Sequence, residues 1–283
     1  LVLLGKYGGN ATTEAAVING LKWLARQQKP DGSWSLVGPY QDGATQENVP
    51  AATAMALLAF QGQGNTHRVG QFKENVIKGW KYLLALQGKD GNFVNSGPSH
   101  QRLYAQAQCT IGICELYGMT GDTQYRQPAE LAIKYALKAQ SKKLGGWRYI
   151  PGEDSDTSVT GWYVMALQSA RMAKLDVPES ALERINGFLD LVQEDGGRTY
   201  TYTEGTYSTA AVTAEGLICR QYLGWKQNDK RLVEGVGALN RNPIDYEAGE
   251  RDVYYWYYAT QACHHMEGEI WDQWNAVMRK AVP

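Results

Sequence analysis

The chain has 283 residues, 28 Lys+Arg against 29 Asp+Glu for a formal net charge of −1, and 43% hydrophobic residues. That length and apolar content supply a sizeable core, and the balanced charge gives no electrostatic case for nucleic acid or an anionic membrane. The longest plain apolar run, about residues 51–60, is too short to span a bilayer, and residues 1–4 are too short for a signal peptide. The first residue is Leu rather than Met, as expected of a trimmed fragment, and the compartment is not readable.

The apolar periodicity predicts helices in pairs. A first outer helix covers 12–28, and an Ala-rich partner covers 48–61 with Pro50 near its start. The second pair falls at 71–87 and 101–117, the third at 127–140 and 157–172, the fourth at 178–193 and 208–223. The fifth falls at 232–239 and 253–266, and 269–280 begins a sixth outer helix. No strand run and no low-complexity linker interrupts the series, so one domain over residues 1–283 is expected.

The first helix of each pair ends in a recurring pattern. Gln28 is followed by Asp31-Gly32 and Trp34, Gln87 by Asp90-Gly91 and Phe93, Gln140 by Gly145-Gly146-Trp147, and Gln193 by Asp195-Gly196-Gly197. The Gln positions recur every fifty-odd residues, the mark of a repeat architecture. Gly supplies a backbone conformation that other residues resist. The aromatic can pack back against the helix end, and the Gln amide can tie that end to neighbouring backbone. The second helices share small residues: Thr53-Ala54, Thr160-Gly161 and Thr213-Ala214 align. They are apolar on most faces and are expected to form a buried inner layer. Parallel inner helices would bring their positive N-termini to one mouth.

These Gln-x-x-Asp-Gly-x-Trp repeats resemble those of squalene–hopene and oxidosqualene cyclases, whose superfamily includes the β subunits of protein prenyltransferases. The resemblance covers nearly the whole chain. It implies an all-α fold: an α/α toroid of five helical hairpins and a partial sixth around an inner ring of parallel helices. It also implies an isoprenoid-like ligand in the central cavity. Two function classes follow. One is an enzyme that protonates a polyprenyl substrate as class II terpene cyclases do. The other is a non-catalytic lipid-binding or protein-interaction module, the protein partner being unspecified.

The resemblance places a cyclase acid motif on Asp154-Ser155-Asp156-Thr157, with Asp156 as proton donor and Asp154 as companion; Thr157 replaces the family's last Asp. A proton donor needs a raised pKa beside a second carboxyl, from Asp154 or Glu204. The same Asp is equally suited to capping a helix. In prenyltransferase β subunits, zinc ligands would fall on Thr206 and Tyr255, neither a zinc ligand type. That argues against a zinc prenyltransferase, and no metal and no cofactor are expected. Arg198 and Tyr207 match the family's diphosphate-binding positions, but Asp156 stands at the diphosphate His and would repel the anion. The chain has 18 Tyr and 9 Trp against 4 Phe, a kind of aromatic suited to a cavity wall. The run 254–258 covers every face of a helix. Tyr255 and Trp256, with Tyr104, Trp162, Tyr163, Glu204 and Tyr207, are therefore candidate substrate contacts; interhelical packing explains the run as well. Cys263-His264-His265 points its side chains about 100° apart on a helix, which disfavours a shared metal. His67 and His100 fall in predicted loops without a visible partner. The four Cys, at 109, 114, 219 and 263, are expected to be buried thiols acting as small hydrophobes.

Overall fold

Helices occupy the segments that the apolar periodicity marks. In the computed structural model the described residues are 8–94, 97–247 and 251–283. The apolar opening at residues 1–4 lies outside them. Among the described residues the helices are α1 (Ala11–Gln27), α2 (Val49–Gly62), α3 (Lys73–Leu86), α4 (Ser99–Thr120), α5 (Arg126–Ala139) and α6 (Thr157–Met172). They continue as α7 (Glu179–Val192), α8 (Ala210–Tyr222), α9 (Lys230–Asn240), α10 (Val253–Met266) and α11 (Gly268–Ala281). The protein is mostly helical, as the sequence predicts, and no described helix is long and apolar enough to cross a membrane. One departure is a two-residue antiparallel pair, β1 (Gln193–Glu194) and β2 (Thr199–Tyr200). Asp195, Gly196 and Gly197 all adopt positive φ and reverse the chain there. Strands this short leave no period-two pattern in the sequence.

The chain divides into two compact units. The first comprises Leu21–Ser155 and Trp162–Arg184. In it, α2 packs on α3 and α4, and α4 packs on α5. The α2 helix buries Ala51, Ala52, Thr53, Ala54, Ala56, Leu57, Phe60 and Gln61, positions on most of its faces. The α3 helix buries only Val76, Gly79, Trp80 and Leu83, one stripe at helical spacing. Helices buried on most faces and helices buried along one stripe, the two kinds read from the sequence, are therefore both present here.

The repeated turn acts as expected in this unit. The Gln28 amide donates to the Gly32 carbonyl at 2.9 Å and to the Asn75 carbonyl on α3 at 3.0 Å. Gln87 donates to the Pro128 carbonyl on α5 at 2.9 Å, and Gln140 to the Ala181 carbonyl on α7 at 2.9 Å. Each Gln thus links one outer helix to the first turn of the next. Gly32, Gly91 and Gly145 have φ of 93°, 89° and 91°, and a Cβ at each would run into a backbone carbonyl of that next helix. Conformation and close approach both demand glycine. The indoles of Trp34 and Trp147 are buried and donate back to the Leu24 and Ala136 carbonyls at 2.7 and 2.8 Å.

The second unit comprises Leu1–Gly20, Asp156–Gly161 and Ile185–Pro283. Here α8 packs on α10, and α9 packs on both. The fourth repeat takes Tyr200 as its aromatic: the ring is buried, and its backbone N–H donates to Thr213 Oγ1 at 3.2 Å. Trp34 N–H makes the same bond to Thr53 Oγ1 at 3.1 Å in the first unit. Gly216 leaves room for the Tyr200 ring, which a Cβ would strike. Arg220 is 2% exposed, and its guanidinium meets Asp190, Asn186 Oδ1 at 3.0 Å and the Tyr200 hydroxyl at 3.1 Å. These partners satisfy a charge that would otherwise be costly to bury. All four cysteines are free and buried.

A buried carboxyl cluster as candidate functional site

Helices α2, α8 and α10 begin at polar caps. Asn48, Thr209 and Asp252 accept from the backbone N–H of Ala51, Val212 and Tyr255 at 3.2, 3.1 and 2.8 Å. Asp156 does the same for α6, accepting from Val159 N–H at 2.7 Å. The capping reading of Asp156 is therefore correct. It is not a full account, because Asp156 is completely buried, and its other oxygen accepts from the Tyr202 hydroxyl at 2.8 Å. The adjacent Thr157 anchors the same segment by donating from Oγ1 to the Thr201 carbonyl at 2.7 Å.

A second carboxyl shares this unit. Glu215 lies in α8 and is completely buried. The Tyr254 hydroxyl reaches both of its oxygens at 3.2 Å, and Tyr258 and Ser158 lie beside it. Gly161 faces it, and a Cβ there would collide with the carboxyl. Burial pushes the Glu215 pKa well above the ordinary glutamate value. The Tyr258, Tyr254 and Ser158 hydroxyls oppose that rise, and the charge of Asp156 adds to it. Tyr258 and Tyr254 are themselves raised, by burial first and then by the charge of Glu215. Asp156, Ser158, Gly161, Tyr202, Glu215, Tyr254 and Tyr258 thus make one buried acid cluster within the second unit.

The residues expected to accompany Asp156 have surroundings of their own. Asp154, in the first unit, is half-exposed and pairs with Arg148. Burial raises its carboxyl, but the Arg148 and Ser155 N–H bonds and the charges of Arg148 and Lys143 outweigh this and hold it below the usual range. Glu204 is exposed, in the turn closed by Thr206 N–H donating to the Thr203 carbonyl. Arg198 is exposed and pairs with Glu234 at 2.9 Å. Tyr207 is 63% exposed and stacks on Tyr202 with rings 5.7 Å apart.

The aromatic run on α10 divides by face. Tyr254 and Tyr258, one turn apart, meet Glu215. Tyr255 turns the other way and donates to the Leu239 and Asn242 carbonyls at 3.0 and 2.8 Å, fastening the end of α9. Trp256 is half-buried near Tyr246, and Tyr257 is exposed. In the first unit Tyr104 is half-buried, Trp162 is buried, and Tyr163 stacks on Trp147 at 4.6 Å.

The histidines need correction. His67 has a partner after all, Asp122 at 2.9 Å, and its ring lies on Tyr125. His100 stands in the first turn of α4, not in a loop, with its ring edge on Tyr149. His264 and His265 pack on Trp271 and Tyr222. Among the described residues no group of three or more His, Cys, Asp or Glu is placed to hold a metal ion.

Glu215 is the residue that sequence reading missed as a functional candidate. It sits two positions after the aligned Thr213, inside an apolar helix, and a lone acid in a helix read as buried is a detectable signal. No family model matches the chain, and no curated protein matches it.

Proposed function

We propose that the chain forms a single α/α toroid of the squalene–hopene cyclase and prenyltransferase type that binds an isoprenoid-like hydrocarbon. At its acid cluster, around Asp156, a double bond of the ligand is protonated. The observation that carries this reading is the presence in one unit of Asp156 and Glu215, two fully buried carboxyls, each with a tyrosine hydroxyl on it, the charge of Asp156 acting on Glu215. Burying two acids is expensive, and such arrangements concentrate where proton transfer is needed. The repeated Gln-Gly-aromatic turns and the inner helices with small residues support the toroid. Aromatic rings near the cluster suit a cationic intermediate.

The cap bond from Val159 to Asp156 favours a second reading, a non-catalytic lipid-binding or protein-interaction module. One experiment separates the two. The purified chain is incubated with squalene and with shorter polyprenyl substrates, and products are analysed by mass spectrometry alongside lipid that copurifies. The catalytic reading expects a cyclic or isomerised product that Asp156→Asn abolishes while the fold survives. Copurified lipid without turnover leaves the binding module; neither lipid nor product removes the isoprenoid reading.

A further inference from the structure

We infer that Asp156 and Glu215 hold a single proton between them at neutral pH, and that this proton resides on Glu215 rather than on Asp156. The two carboxyls differ in what surrounds them. Asp156 stands at the N-terminus of α6, where the backbone dipole favours an anion. Both of its oxygens accept hydrogen bonds, from Val159 N–H at 2.7 Å and from the Tyr202 hydroxyl at 2.8 Å. That arrangement suits a carboxylate. Glu215 lies in the interior of α8 and caps no helix.

The groups facing Glu215 can be named element by element. Asp156 and Ser158 face it from α6, Tyr254 and Tyr258 from α10, and Cys219 from one turn further along α8. None of them is a cation. Among the described residues no Lys, Arg or His forms an ion pair with Glu215, and the neighbouring Arg220 is committed to Asp190, Asn186 and the Trp225 ring. An ionised Glu215 would put a second negative charge in the same buried volume. A neutral Glu215 has hydroxyl partners that serve it either as donors or as acceptors. Gly161 lets the facing wall of α6 approach the Glu215 carboxyl closely.

This assignment rests on the proposed function only for its catalytic consequence. There, Glu215 is the proton donor and Asp156 the companion charge. The Glu215 O–H bond breaks and its proton bonds to one alkene carbon through the π electrons. A tertiary cation remains on the other carbon and a carboxylate on Glu215. Loss of a proton from a neighbouring C–H to water ends the sequence, and Glu215 regains a proton from solvent. The net change is an isomerisation.

The test reads the carboxyl directly, by infrared spectroscopy of the full chain without substrate at neutral pH. With Glu115, the other carboxyl that burial raises (to about 7), replaced by Gln throughout, the stretch of a buried protonated carboxyl is expected in the otherwise wild-type chain, absent in Glu215→Gln and retained in Asp156→Asn. Loss in Asp156→Asn with retention in Glu215→Gln, or no such band in the otherwise wild-type chain, overturns the assignment. Tyr254→Phe guards against misfolding of the Gln variant. It removes a hydrogen bond from Glu215, so the band must shift in frequency, and an unshifted band also overturns the assignment. Because no substrate is present, a chain without turnover sinks the functional reading and leaves this one standing. Where turnover is found, Glu215→Gln should lower it by about a hundredfold or more, the usual contribution of a general acid.

Discussion

Two aspartates in the second unit open helices in the same way and live in different surroundings. Asp252 caps α10 by accepting from Tyr255 N–H at 2.8 Å, and Asp156 caps α6 by accepting from Val159 N–H at 2.7 Å. Asp252 is exposed to solvent; Asp156 is fully buried, accepts a second bond from Tyr202 and has Glu215 as an electrostatic neighbour. Capping explains why an aspartate stands at each position. It does not explain why one of them is taken out of water, which costs free energy that a cap alone does not return. That excess is what the proposed chemistry at Asp156 accounts for.

The largest break in the comparison is expected from replacing each cap with alanine. Asp156→Ala removes the cap, leaves the buried Val159 N–H without its acceptor and takes away the carboxylate that the Tyr202 hydroxyl meets. The expected cost is about 3 kcal/mol, from the loss of a cap plus an unsatisfied buried donor. Asp252→Ala removes only a cap on the surface, where Asp252 is exposed, and should cost about 1 kcal/mol. Urea unfolding of the two variants decides the point; equal costs would make Asp156 an ordinary cap.

How much of this was legible beforehand depends on sequence distance. The turn at Gln28, Gly32 and Trp34 lies within seven residues, so its pattern survives in the sequence, and the structure repeats it at Gln87 and Gln140. The helix pairs follow from apolar periodicity alone. The acid cluster does not, because Asp156, Tyr202, Glu215 and Tyr254 are far apart in the chain and meet only through packing. Asp154 looked like the companion because it is adjacent in sequence, yet Arg148 claims its carboxylate. Tyr200 was overlooked as the fourth aromatic because the β1–β2 turn sets it seven residues after Gln193, behind two glycines.

The pH dependence of stability sharpens the comparison next. Glu215 has a folded-state pKa raised above its unfolded value, by burial first. A raised value means that its contribution is fully present below the ordinary glutamate value of 4.5 and is lost as pH rises towards the folded value. Across that window the wild type should lose about 1.4 kcal/mol per pH unit relative to Glu215→Gln. Glu115, raised to about 7 by burial against hydrogen bonds from Ser169 and Gln61, tilts both proteins alike and cancels in the difference. Parallel stability–pH curves for the two proteins would show that Glu215 ionises as freely as a surface acid.

A smaller effect is expected from the wall opposite Glu215. Gly161→Ala brings a Cβ into the carboxyl, an overpacking cost of about 1–3 kcal/mol. Ala gains about 1 kcal/mol over Gly in a helix, so the net loss should be near 1 kcal/mol. Gly187→Ala on α7 is the control: nothing lies within 4 Å of its Cβ, so this variant should gain stability. Thermal unfolding should move the two in opposite directions.

The smallest expected effect is at Asp252 when its shape is kept. Asparagine retains the acceptor oxygen that meets Tyr255 N–H, and asparagine and aspartate cap helices about equally well. What Asp252→Asn loses is a charge near the α10 N-terminus, about 0.3–1 kcal/mol at low salt and less as salt screens it. The matching change at Asp156 keeps its cap bond but removes a buried charge that Tyr202 and the α6 dipole serve. Its loss should therefore respond little to salt, since buried charges are poorly screened. The measurement is the stability of both Asn variants at low and high salt. A salt-dependent loss at Asp252 beside a salt-independent one at Asp156 upholds the distinction, and the same salt response at both would place the Asp156 carboxylate in contact with solvent.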